Sequence, residues 1–169
     1  INIFDTRTVN TENSVDWKTA PDYNKSKLPI DVLAKLEENQ STAYLIIKND
    51  SIVHEEYWDR SKVNTLSNSF SVAKSIVSIL VGIAADEGRL NIDDAVGKYL
   101  PEFSKGSNAK LHIRHLLQMS SGLDWDESYS SLFSKTTEAY YGSNLRSQVL
   151  KLKVIREPGT KFEYMSCNT

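Results

Sequence analysis

The most apolar stretch of the chain runs from residue 72 to residue 85 and is hydrophobic on nearly every side. A surface helix carries one apolar stripe, and a membrane span needs about 20 apolar residues, so this run fits neither structure. We therefore predict a buried central helix that stops at Gly88, because glycine commonly follows the last turn of a helix. Lys74 is the single charge inside the apolar run.

The spacing of apolar residues before this helix predicts mixed secondary structure. Residues 31–38 have the apolar periodicity of a short amphipathic helix. Two runs rich in β-forming residues, 42–48 and 52–58, flank Asn49-Asp50-Ser51, which predicts a hairpin. Residues 1–29 are polar and predict an extended arm.

Shorter helical patterns follow the central helix. They cover residues 95–100, 113–119, 132–141 and 145–155. Pro101 ends the first of them, because proline cannot continue a helix. The sequence therefore predicts an α+β fold class.

Composition excludes several classes of protein. The 169 residues are 40% hydrophobic and 25% charged, which is ordinary for about one globular domain. The net charge of -2 and the lack of a basic cluster argue against a nucleic-acid partner. No apolar stretch is long enough for a membrane-spanning segment, and one cysteine, Cys167, excludes an internal disulfide.

Ser71 and Lys74 are the candidate chemical pair. Ser71 begins the central helix, where free N–H groups and the positive end of the helix dipole favour an anion on its oxygen. Lys74 lies three residues further on the same helical face, so its amine can reach the serine hydroxyl. The pair is a nucleophile with a base beside it. The alternative is that Ser71 caps the helix and Lys74 extends to water, as in most chance matches to S-x-x-K.

Histidine chemistry finds no support in the sequence. His54 lies on the hairpin, and His112 and His115 lie at a helix start with a spacing that could hold a metal ion. No third ligand is apparent, and such a pair more often has a packing or capping role. No G-x-S-x-G elbow is present either. We predict no metal and no cofactor.

Six segments taken in order resemble the β-lactamase-related serine hydrolases. They are SVAKS at 71–75, DEGRLNIDD at 86–94, YLPEF at 99–103, IRHLL at 113–117 with SSGL at 120–123, PGT at 158–160, and Tyr164. The S-x-x-K motif is a signature of β-lactamases and penicillin-binding proteins. The superfamily includes class C β-lactamases, DD-peptidases, family VIII esterases and 6-aminohexanoate-dimer hydrolases.

The resemblance implies a β-lactamase/transpeptidase-like fold, with a helical subdomain beside an antiparallel sheet. The family's Lys/His-Thr/Ser-Gly box and its late strands have no match in these residues. We therefore expect residues 30–169 to be the N-terminal part of such a domain, preceded by the arm at 1–29. The family also implies an extracytoplasmic location, periplasmic or secreted, while the sequence itself leaves a cytoplasmic one open and says nothing of oligomeric state.

The resemblance also implies roles for individual residues. Ser71 would be the acylated nucleophile and would supply one N–H of the oxyanion hole, and Lys74 would accept or relay its proton. Tyr164 would complete the base and later protonate the leaving group; alternatively, it is a strand tyrosine that packs its ring. Ser166 stands where the family commonly has asparagine and could donate a hydrogen bond to a substrate carbonyl. Trp125 could line the acyl or leaving-group pocket together with Tyr129, or both could be packing residues.

These roles imply a serine hydrolase that acts through an acyl-enzyme on small esters, amides or peptides. Three alternatives stay open. One is a penicillin-binding or peptidoglycan-sensing module that is acylated with little turnover. The second is a DD-peptidase or β-lactamase, and the third is a scaffold that has kept the fold without the chemistry.

Overall fold

Residues 8–10 and 12–169 are described by the structure, a computed structural model. The chain divides into an N-terminal unit that ends at Asn68 and a C-terminal unit that begins at Ser69. Part of the predicted arm, residues 1–7 and 11, lies outside the described residues.

The N-terminal unit is built on a three-stranded sheet. Its elements are β1 (Lys18–Thr19), α1 (Ile30–Glu38), β2 (Ala43–Lys48) and β3 (Ser51–Tyr57). The strand order is β1-β3-β2, with β2 antiparallel and β1 parallel to β3. The predicted helix and hairpin are confirmed. The sheet of this unit is mixed because a short strand from the arm adds to the hairpin.

The hairpin turn uses two residues with left-handed backbone. Asn49 and Asp50 have φ values of 50° and 55°. Positive φ at both central positions is typical of a type I′ turn, whose twist matches that of the flanking strands. Asn and Asp tolerate this conformation better than other non-glycine residues.

The C-terminal unit contains four α-helices among the described residues. They are α2 (Val72–Asp86), α3 (Ile113–Leu117), α4 (Lys135–Tyr141) and α5 (Leu145–Val149). Side chains cap two of them: Ser134 accepts a hydrogen bond from the Thr137 N–H, and Asn144 from the Ser147 N–H. The remaining turns are 3₁₀, at Val96–Lys98, Pro101–Phe103, Gly106–Lys110 and Ser166–Asn168.

Two of the predicted helices are wrong in type or length. Residues 95–100 form only a 3₁₀ turn, because the Val96 N–H donates to the Leu111 carbonyl and Ala95 pairs with His112 in a β-bridge. The helix predicted to reach residue 155 ends at Val149, since Val154 pairs with Leu123. In both places a tertiary backbone pair replaces the local helical pattern.

The central helix α2 has the predicted extent but not the predicted burial. It contains 15 residues, none of them buried, and its apolar side chains include Ile79, which is 57% exposed. The prediction of burial is therefore wrong, because every residue of this helix keeps part of its surface exposed. No helix in the described part of the chain has the length and hydropathy needed to cross a bilayer.

The core of the C-terminal unit comes mostly from turns and extended segments. It consists of Val96, Phe103, Leu111, Leu123, Leu152 and Val154. The Asn108 side chain fixes one of these segments, because its amide N–H donates to the Leu152 carbonyl and its oxygen accepts from the Val154 N–H. A polar side chain thus supplies the backbone partners that a neighbouring strand would otherwise provide.

A tight turn at Gly122 holds the segment that leads to the candidate site. Gly122 has a φ of +67°, and a Cβ there would lie 2.2 Å from the Arg156 carbonyl oxygen, so only glycine fits. Its own carbonyl accepts from the N–H groups of Ile155 and Arg156. Just before the turn, the Met119 carbonyl accepts from the Glu163 N–H at 2.7 Å. These bonds fix the chain immediately before Tyr164.

Candidate active site

The structure brings Ser71 and Lys74 into contact at the start of α2. The Lys74 Nζ donates to the Ser71 Oγ at 3.2 Å. The Ser71 side chain makes no capping hydrogen bond, although Ser71 occupies the N-cap position. The capping part of the alternative is therefore wrong, and the hydroxyl instead accepts from the Lys74 amine.

The backbone before the serine is strained. Phe70 has a φ of +43°, in the left-handed region that bulky residues rarely adopt. Such a conformation costs on the order of 1–3 kcal/mol and is found disproportionately at active sites. The N–H groups of Val72, Ala73 and Lys74 donate to carbonyls three residues earlier. The Ser71 N–H has no acceptor among the described residues and is available to a developing oxyanion.

Tyr164 stands beside the lysine. Its ring centroid lies 5.5 Å from the Lys74 Nζ, within the range of a cation–π contact. Tyr164 lies outside the strands and is 43% exposed, so it is not the packed strand tyrosine of the alternative interpretation. Its phenol oxygen has no hydrogen-bond partner in the described part of the chain. The three residues predicted as a catalytic set therefore lie together in the C-terminal unit.

Ser166 and Trp125 meet at a residue that the sequence did not identify, Glu127. The Ser166 N–H and hydroxyl both donate to the Glu127 carboxylate at 2.6 Å. The Trp125 indole N–H donates to it at 2.7 Å, while the ring packs against the core. The Tyr129 hydroxyl also donates at 2.7 Å, and its ring is largely exposed. The serine and indole donors predicted to face substrate or a pocket are thus engaged within the protein.

The Glu127 carboxylate stays ionised despite its partial burial. Burial by itself would raise its pKa, but the hydrogen bonds from Ser166, Tyr129 and Trp125 outweigh that effect, so the pKa is lowered. One signal could have pointed to it. Trp125, Glu127 and Tyr129 alternate, and in extended backbone alternate residues lie on one face.

Cys167 directly follows Ser166 in the chain, and its thiol is poorly nucleophilic. Burial and, after it, the negative charge of Glu127 raise the pKa of its thiol to about 12. Because the thiolate is the nucleophilic form, Cys167 is unsuited to nucleophilic catalysis at neutral pH.

Both neighbouring histidines make side-chain hydrogen bonds at the start of α3. His115 Nδ1 accepts from the His112 N–H at 3.2 Å, and His112 Nδ1 donates to the Asp93 carbonyl at 2.6 Å. Burial lowers the pKa of His115, so it stays neutral more readily. Within residues 8–10 and 12–169, no group of three or more His, Cys, Asp or Glu residues is placed to hold a metal ion.

Lys74 also lines a cavity of about 390 Å³. Side chains of α2 and α3 line it, together with Met119 and Asn168, and most of them are apolar. Neither Ser71 nor Tyr164 is among the described residues that line it.

Comparison with known proteins decides the family, because the family model described as Beta-lactamase matches residues 31–169. The chain belongs to the beta-lactamase family. Protein flp of Staphylococcus aureus (strain NCTC 8325 / PS 47) is 25% identical over 173 residues, which cover 95% of this chain and 32% of that protein. The 6-aminohexanoate-dimer hydrolase of Paenarthrobacter ureafaciens is 28% identical over 104 residues, covering 62% of this chain and 26% of that protein. The chain thus spans about a third or less of the length of these relatives.

Solved structures confirm the predicted fold class for this family member. A Bacillus anthracis protein provisionally described as a 6-aminohexanoate-dimer hydrolase matches with a TM-score of 0.70 at 17% identity, over 91% of this chain and 46% of that one. A Bacteroides dorei protein provisionally described as a beta-lactamase matches with a TM-score of 0.60 at 25% identity. The match covers 82% of this chain and 41% of that one. The resemblance seen in the sequence is therefore confirmed, and the fold is β-lactamase-like.

Proposed function

We propose that the intact protein is a serine hydrolase that acts on small esters or amides through an acyl-enzyme, with Ser71, Lys74 and Tyr164 as its catalytic set. The observation that carries the proposal is the 3.2 Å contact from Lys74 Nζ to Ser71 Oγ, in a chain of the beta-lactamase family. One relative is named a hydrolase of 6-aminohexanoate dimers, and this favours small amides.

The proposed chemistry uses the three side chains in turn. The Ser71 oxygen attacks the substrate carbonyl carbon while its proton passes to the Lys74 amine, directly or through Tyr164. The Ser71 N–H donates to the oxyanion that forms. The bond to the leaving alcohol or amine then breaks, and the proton held by Lys74 passes through Tyr164 to that group. Water hydrolyses the resulting serine ester in the same way and frees the acid.

β-Lactams are a second candidate substrate class. The family match and the Bacteroides dorei structure favour them. An enzyme would release the acyl group, whereas a penicillin-binding module would retain it, so the deacylation rate separates these two functions.

Active-site labelling tests the nucleophile. A fluorophosphonate should attach to Ser71 in the intact protein, and Ser71→Ala should abolish the label. Ser75→Ala, one turn further along α2, is the matched control and should keep it. Lys74→Ala and Tyr164→Phe should each slow acylation by about 100-fold or more, the usual scale for a positioned proton-transfer group. A label that persists in Ser71→Ala would refute the assignment.

Substrate class is tested by comparing kcat/KM for p-nitrophenyl butyrate and for a chromogenic cephalosporin. We expect the ester to be preferred. A clear preference for the cephalosporin would favour β-lactamase activity. A penicilloyl adduct on Ser71 that is stable for hours would favour the binding module.

A further inference from the structure

The Glu127 carboxylate is saturated with hydrogen bonds. Its Oε2 accepts from two N–H groups, those of the Trp125 indole and the Ser166 backbone. Its Oε1 accepts from two hydroxyls, those of Tyr129 and Ser166. Charge-assisted bonds of this kind are roughly twice as strong as neutral ones. The carboxylate therefore links residues 125–129 to the segment that contains Tyr164.

Tyr164 depends on its chain neighbours for its position. Its phenol oxygen has no partner among the described residues, and its ring is 43% exposed. The chain on its N-terminal side is fixed by the bond from the Glu163 N–H to the Met119 carbonyl. On its C-terminal side, Ser166 is held by Glu127 through both the backbone and the side chain. Hydrogen bonds thus hold the chain on both sides of Tyr164, at Glu163 and at Ser166. Glu127 accepts those made by Ser166.

We infer that Glu127 is a positioning residue, which keeps Tyr164 beside Lys74 by anchoring Ser166. The inference rests on the proposed function, since it gives Glu127 a role in that reaction through Tyr164. It also assigns Ser166 to this anchor and not to direct contact with a substrate carbonyl.

The two carboxylate oxygens predict how substitutions should rank. The N–H groups at Oε2 can only donate, whereas the hydroxyls at Oε1 can reverse and accept. Glutamine can therefore place its side-chain oxygen where Oε2 lies and its amide nitrogen where Oε1 lies. Glu127→Gln should keep the anchor, Glu127→Asp should weaken it because the side chain is one methylene shorter, and Glu127→Ala should remove it.

The experiment measures the rate at which a fluorophosphonate acylates Ser71 in the intact protein. Glu127→Ala should slow acylation by about 10- to 100-fold, the scale of losing a near-attack alignment. The acylation rate of Glu127→Gln should stay within about threefold of the wild-type rate. Loss of the hydrogen bonds to Ser166 would slow acylation more than that. Glu157→Ala removes a carboxylate paired with Lys110 on the surface of the same unit and should leave the rate unchanged.

The Tyr164→Phe background separates positioning from general damage. If Glu127 acts through Tyr164, Glu127→Ala should slow labelling by no more than about twofold in that background, because residues that act as one unit are not additive. Glu127→Asp provides the same comparison if the alanine variant does not fold.

The outcomes are distinct for the two proposals. A wild-type protein that labels at Ser71, with Glu127→Ala as fast as wild type, would overturn this inference alone. An equal slowing in both backgrounds would also overturn it, since the effect would then not pass through the tyrosine. A wild-type protein that does not label at Ser71 would overturn the proposed function and this inference together.

Discussion

Asp94 shows what one carboxylate does within a short turn of the C-terminal unit. It accepts from the Lys98 Nζ at 2.8 Å, the Tyr99 hydroxyl at 2.5 Å and the Asn91 N–H at 3.0 Å. In that order, these bonds lower its pKa from 3.8 to about 2. A lowered pKa means that the folded state favours the ionised form.

This shift predicts the sign of an acid effect. The contribution of Asp94 to the free energy of unfolding should be complete above its ordinary pKa of 3.8 and should be lost as the pH falls through about 2. An NMR titration of the Asp94 carboxyl carbon should give a midpoint near 2. Asp94→Asn, which cannot titrate, should be less stable than the wild type at neutral pH and should approach it below pH 2. A midpoint near 3.8 would contradict the assigned contacts.

Glycine substitutions give a second prediction at the residue scale, with opposite signs at two positions. Gly122→Ala should lower the free energy of unfolding by roughly 2 kcal/mol or more, because a left-handed non-glycine residue is strained and its Cβ would meet the Arg156 carbonyl. Gly82→Ala, inside α2 with nothing near its Cβ, should raise it by about 0.5–1 kcal/mol. Urea unfolding of the chain measures both. Two changes of the same sign would show that the space around one glycine is wrongly assigned.

At the scale of elements, α2 presents a face that is unusual for so apolar a helix. Ile76, Ile79 and Leu80 are each more than half exposed in the described chain. Contiguous apolar surface of this kind binds other apolar molecules. The 169-residue chain should therefore bind a dye such as ANS while it is folded.

Substitutions test this expectation. Ile79→Lys should reduce dye binding and change the free energy of unfolding by less than about 1 kcal/mol, because the site is on the surface. Leu111→Lys is the control: its side chain is 1% exposed, so a lysine would bury an unpaired charge and unfold the unit. Strong destabilisation by Ile79→Lys would mean that this face is covered in the isolated chain.

Elements were predictable from sequence where their determinants are local. The hydrophobic run and Gly88 are sufficient to place α2, and Asn49-Asp50 is sufficient to place the hairpin. Burial of α2 was not predictable, because burial depends on what packs over the helix and not on its own side chains. The helix predicted at residues 95–100 was wrong for a related reason. The Val96 N–H bonds to the Leu111 carbonyl, and no local pattern indicates that pair.

The residues of the candidate site also differ in whether local sequence predicts their position. Ser71 and Lys74 occupy one helical turn, so spacing alone predicts their contact. Tyr164 was expected there only from the family resemblance, because its position depends on the Gly122 turn and on bonds such as that between Met119 and Glu163. Glu127 was missed because its partner Ser166 is 39 residues away.

At the scale of the whole chain, apolar burial is unevenly distributed. The described core cluster lies entirely in the C-terminal unit. Among the described positions of the N-terminal unit, Ile52 is the one buried hydrophobic residue. The family match runs from residue 31 to residue 169 and so crosses the division after Asn68. The assignment of residues 1–29 to an arm and 30–169 to one domain stays a prediction.

The partly buried, protonated thiol of Cys167 has a practical consequence for spectroscopy. It is the only cysteine in the sequence, and its pKa of about 12 leaves almost no thiolate at pH 7. A second cysteine placed on the exposed face of α2, at the position of Ile79, should therefore react with a maleimide fluorophore or a nitroxide spin label by itself. The native chain can thus be labelled at one chosen site without first removing its own cysteine.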